Sequence, residues 1–113
     1  MKKLIVLISI LVMVPWNASA DLFSTEDGCR QVAEIANIIM TARQGGVPMK
    51  VIVSAGEGRS AGERVLLIGM ASIAYNQPKY STESYQQNAI IEFENLWYNR
   101  CMMKVLEKQK KTE

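Results

Sequence analysis

SAGEGRSAGER, residues 54–64, spells Ser-Ala-Gly-Glu twice around Gly58-Arg59. Read as a glycine-rich cradle, the stretch joins a strand to a helix and grips a phosphate; read as punctuation, it separates two helices. A Walker-type loop places Lys and Ser/Thr directly after its second glycine. Here Gly56 and Gly62 are separated by five residues and Glu63 follows, so the lysine and hydroxyl that hold nucleotide and magnesium are missing. Gly56-Glu57-Gly58 also fails the dinucleotide pattern, because Ala61 stands where the third glycine belongs. Ser60 and Glu63 fit a capping box instead: the serine hydroxyl takes the N–H of Glu63, and the carboxylate reaches back to the N–H of Ser60. Gly56 and Gly58 are suited to positive φ and to ending the preceding segment. The duplication is far too short for a structural repeat.

Downstream, Arg64–Tyr75 is almost continuously apolar, which predicts a central buried helix stopped by Asn76-Gln77-Pro78. Upstream, Val51-Ile52-Val53 has strand propensity, but a lone strand finds no partner in this sequence, so 47–55 is read as a short helix restarted at Pro48. Ser24-Thr25-Glu26-Asp27 opens another helix, whose Cys29, Val32, Ala33, Ala36, Ile39, Met40 and Arg43 recur at helical spacing up to Gly45-Gly46. Near the end, Ile90, Phe93, Trp97, Cys101 and Val105 share one face of a long helix. The expected fold is therefore all-α, a compact bundle of about four helices. Cys29 and Cys101 are the only cysteines, both on apolar stripes, and in an oxidising compartment they most simply form one disulfide. Free thiols or an intersubunit bond are the lesser alternatives.

The first twenty residues point to that compartment. Lys2-Lys3 precedes an apolar run, Leu4–Val14, and Ala18-Ser19-Ala20 supplies the small residues of a cleavage site before Asp21. Residues 1–20 are read as a secretory signal and 21–113 as one helical domain with a basic C-terminal tail. The run is too short for a membrane span, which needs about 20 apolar residues, and no cysteine at the cleavage point offers a lipid anchor. The implied location is the periplasm. Removing Lys2 and Lys3 from the 13 basic residues leaves 11, matching the 11 acidic ones, so the mature chain is neutral and gives no support for a nucleic-acid partner. Lys104, Lys108, Lys110 and Lys111 keep a local positive bias at a helix end.

The sequence has no histidine, the commonest general base and metal ligand near neutral pH. The carboxylate pairs Glu57 with Glu63 and Glu92 with Glu94 sit in no catalytic motif, and Glu92 and Glu94 diverge by about 200° around a helix. Cys101-Met102-Met103 suggests copper(I), but three successive helical residues cannot converge on one ion. The expectation is a non-enzyme with no catalytic residue, metal or cofactor. Tyr75, Lys79, Tyr80 and Tyr85 frame a polar connection and form the candidate partner-binding set, since tyrosine combines contact area with a polar tip. Rings folded over the edge of the core are the plain alternative.

The export signal, the early Cys on an Ala/Ile-rich helix ending in Arg43-Gln44-Gly45-Gly46, Val47-Pro48, the Tyr after an apolar helix and the late Cys resemble small exported helical proteins of Gram-negative bacteria and their phages, many without assigned function. The layout is also similar to periplasmic acid-stress chaperones and to immunity proteins that neutralise cell-wall-degrading effectors. The resemblance implies a protein that binds a periplasmic or secreted protein as an inhibitor or immunity factor. A chaperone and a membrane-surface protein using the basic tail are the alternatives, and a homodimer is a further association the sequence leaves open.

Overall fold

The computed structural model describes residues 23–112; the export signal read at 1–20 and its cleavage point lie outside them. Four helices and no strand occur among these residues: α1 Glu26–Gln44, α2 Met49–Ser54, α3 Ala61–Tyr75 and α4 Glu83–Thr112. The fold is the all-α bundle expected, with the 47–55 segment resolved as helix.

α1 starts because Thr25 is extended and its Oγ1 accepts the N–H of Gly28 at 3.0 Å, while Glu26 and Asp27 complement the positive helix end. It stops at a Schellman turn. The N–H groups of Gly46 and Val47 donate to the carbonyls of Arg43 and Ala42, and Gly46 takes φ +82°, where a side chain is strained. Between 54 and 64 the two glycines divide the work differently from the sequence expectation. Gly58 has positive φ, whereas Gly56 is buried and closely packed: a Cβ there would lie 2.7 Å from Leu67 Cδ2 and 3.3 Å from the Val53 carbonyl, so the Leu67 side chain would have to shift. Ser60 Oγ accepts the N–H of Glu63 at 3.3 Å, but the Glu63 carboxylate accepts from Arg59 Nη1 at 3.2 Å instead of turning back to the cap. The box is formed in one direction only.

α1 is the centre of the molecule. Val32, Ala36, Ile39 and Met40 meet Met70, Ala71 and Ala74 of α3, and Ile90, Phe93 and Val105 of α4, in one buried cluster. Two cross-links show that α4 runs antiparallel to α1. Cys29 and Cys101 form a disulfide with Cα atoms 5.4 Å apart, and Asn37 Nδ2 donates to Glu94 Oε2 at 3.1 Å. The expectation of a central, buried α3 is corrected. α3 packs chiefly on α1 and α2, and its far side is open among the described residues: Val65 is 72% exposed, and no described atom lies within van der Waals contact of a Cβ placed at Gly62 or Gly69. A continuous apolar run has no periodicity to show which side is covered.

Candidate functional site

The connection between α3 and α4 is held from both flanks. As α3 ends, the N–H groups of Asn76 and Gln77 donate to the carbonyls of Ile73 and Ala74. From the last turn of α1, Arg43 Nε and Nη2 donate to the Gln77 carbonyl at 3.1 and 3.0 Å. Gln44, a buried polar residue, uses both ends of its amide: Nε2 donates to the Pro78 carbonyl at 2.9 Å, and Oε1 accepts the N–H of Tyr80 at 2.8 Å. From α4, Gln86 Nε2 donates to the Tyr80 carbonyl at 2.7 Å. The backbone on either side of Lys79 is thereby fixed, which removes ordering entropy that a partner would otherwise have to overcome.

Outward from this clamp, the rings of Tyr80 and Tyr85 lie 5.9 Å apart at a 32° tilt. Tyr80 is 36% exposed and Tyr85 61%. The Lys79 ammonium lies beside Gly46, where an added Cβ would come 3.1 Å from Nζ. Lys79, Tyr80 and Tyr85 thus share one end of the bundle, near the α1 terminus. Tyr75 is placed differently. It is half-buried, its hydroxyl donates to the Val47 carbonyl, and Arg43 lies 5.4 Å from its ring centroid. Burial raises the Tyr75 phenol above its ordinary pKa of 10.0, and the nearby Arg43 charge offsets part of that rise. Its polar tip is committed inside the fold.

Arg43 and Gln44 do not stand out when 43–46 is read as a helix end. The available signal was Gln44 itself: it extends the stripe Ala33, Ala36, Met40 by four residues, and a polar group at such a position must find buried partners.

The other candidates do not assemble a reaction centre. Glu57 is exposed, Glu63 is paired with Arg59, and Glu94 is held by Asn37. Cys101 is in the disulfide, and no cluster of metal-ligating side chains occurs among the described residues. An open cleft of about 300 Å³, lined by Ser24, Thr25, Glu26, Met102, Val105, Leu106 and Gln109, has Glu26 as its one titratable side chain. No helix among the described residues is long and apolar enough to cross a membrane. Comparison with protein-family models, curated proteins and solved structures finds no match for this chain.

Proposed function

We propose that this is an exported, non-enzymatic binding protein that docks on one protein in the periplasm, as an inhibitor or immunity factor, through Lys79, Tyr80 and Tyr85. The observation that carries the reading is the clamp: two neighbouring exposed tyrosines stand on a connection whose backbone is fixed by Arg43, Gln44 and Gln86. Large aromatic surface on a rigid support is the combination that concentrates binding energy in few residues. Tyr75 belongs to the support, through its bond to Val47.

The test is affinity capture with the chain purified from its own periplasm, run beside a Tyr80→Ala/Tyr85→Ala variant and a Val65→Ser control. One stoichiometric cell-wall enzyme, retained by the control and lost from the tyrosine variant, supports the reading. Equal capture by all three sinks the site. A second reading, a chaperone that binds many unfolded clients, draws on the open apolar side of α3 around Val65 and Ile68. It predicts the opposite pattern, with weak capture of many proteins reduced by the Val65 change alone.

A further inference from the structure

α4 is the longest helix of the protein and packs almost entirely on α1, through Ile90, Phe93, Trp97, Cys101 and Val105. Its solvent side carries a second pattern. Glu92, Leu96, Asn99, Met103 and Leu106 on that side, with the partly buried Ala89 at its edge against the core, advance in alternating steps of three and four, the repeat that holds one seam toward a partner helix. Met103 is 53% exposed and Leu106 46%, with Leu96 also at the surface. Two polar side chains, Glu92 and Asn99, interrupt the seam, and a polar group at such a position sets register at the expense of some stability.

The charges along α4 select the partner. Before Trp97 the helix bears only acids, Glu83, Glu92 and Glu94. After it come Arg100, Lys104, Lys108, Lys110 and Lys111, with Glu107 the single acid among the described residues there. A parallel pair of such helices sets like charges side by side, and an antiparallel pair sets each acidic half against a basic half. An acidic half is also poorly suited to lie on an anionic lipid surface.

We propose that α4 is a self-association surface: two copies of this chain pair antiparallel through the seam Ala89–Leu106, with a two-fold axis between residues 97 and 98. In this isologous arrangement each contact occurs twice. Ala89 of one copy faces Leu106 of the other, Leu96 faces Asn99, and Glu92 lies level with Met103 and beside Arg100. Glu107 falls level with Asn88 and meets no acid. Glu83 comes level with Lys108 and Lys111. The interface is separate from the Lys79–Tyr80 connection and does not depend on the function proposed for it.

The test is sedimentation equilibrium of the purified protein from micromolar to sub-millimolar concentration. Twice the chain mass is expected, with dissociation increasing as salt is raised. Glu92→Arg and Arg100→Glu each weaken the dimer about tenfold, and the double exchange restores it, because the pair is present twice across the axis. Circular dichroism of each variant separates lost association from lost folding, and the restored double variant carries the same control. A spin label on Asn88→Cys reports geometry: about 30 Å between copies in the antiparallel register, against about 10 Å in a parallel one. A monomer at every concentration, including one that binds anionic vesicles, overturns the proposal. So does a short label distance, or failure of the charge exchange to restore association.

Discussion

The Tyr75 hydroxyl ends on the Val47 carbonyl, at the point where α1 hands over to α2. Tyr75→Phe leaves that carbonyl without its partner and is expected to cost about 1 kcal/mol. The same burial that raises the Tyr75 pKa gives the loss a pH dependence. Below pH 10.0 the phenol is protonated in native and unfolded chains alike, and the hydrogen bond contributes in full. Above it the unfolded chain ionises first, so the native state of the wild type loses stability as pH rises toward its own higher pKa. Urea midpoints of the two proteins should therefore differ by a constant amount below pH 10.0 and converge above it. A constant gap through about pH 11.5 would show that the phenol is not desolvated. Gln44 is a stricter case, because both polar ends of a buried amide are used on neighbouring residues. Gln44→Ala leaves the Pro78 carbonyl and the Tyr80 N–H unpaired and should cost about 2 kcal/mol. Hydrogen exchange at the Tyr80 amide should accelerate far more than at the α1–α4 contact; unchanged protection would mean that another group holds the connection.

At the level of elements, α3 shows what the sequence could convey. Its boundaries were readable, because Ser60, Asn76 and Pro78 act locally on the backbone, and local chemistry is written in local residues. Its burial was not, since Val65, Leu66, Leu67 and Ile68 are apolar on every side and only the packing of α1 selects Met70, Ala71 and Ala74. The amphipathic helices α1 and α4 were more legible for the opposite reason: their stripes name the covered side, except that Gln44 is buried where Arg43 was expected on the stripe. The same division runs through the candidate site. Lys79, Tyr80 and Tyr85 were visible as an aromatic, polar connection, whereas the clamp from Arg43, Gln44 and Gln86 joins residues 6 to 36 positions apart and is a product of tertiary contact. A pair of substitutions tests the assignment of the α3 faces. Met70→Ala empties a fully buried site and should cost about 2–5 kcal/mol. Val65→Lys, on the open side, should stay within about 0.5 kcal/mol in the isolated protein. Comparable losses in chemical denaturation would mean that α3 is covered on both sides.

For the whole molecule, the decisive link is the bond between Cys29 and Cys101, 72 residues apart. α1 holds α3 on one side and α4 on the other, and α4 has little else to pack on. Closing so long a loop in the unfolded chain accounts for about 4 kcal/mol in the chain-entropy treatment, comparable to the whole stability of many small domains. Cys29→Ala/Cys101→Ala should therefore lower the melting temperature by about 15–30 °C in a chain of this size. The consequence is not spread evenly over the fold. Cys29 lies in the first turns of α1, whereas Arg43 and Gln44 close its last turn, about 22 Å away along the helix axis. The tyrosine connection is clamped at that far end, so at a temperature where the double variant is still folded its Tyr80 amide should retain native protection. Protection around Val105, beside the lost bond, should fall first. Hydrogen exchange resolved by residue distinguishes the two ends. Loss of protection at Tyr80 together with Val105 would mean that the bundle opens as one unit and that the disulfide, not the Gln44 clamp, holds the candidate site in shape.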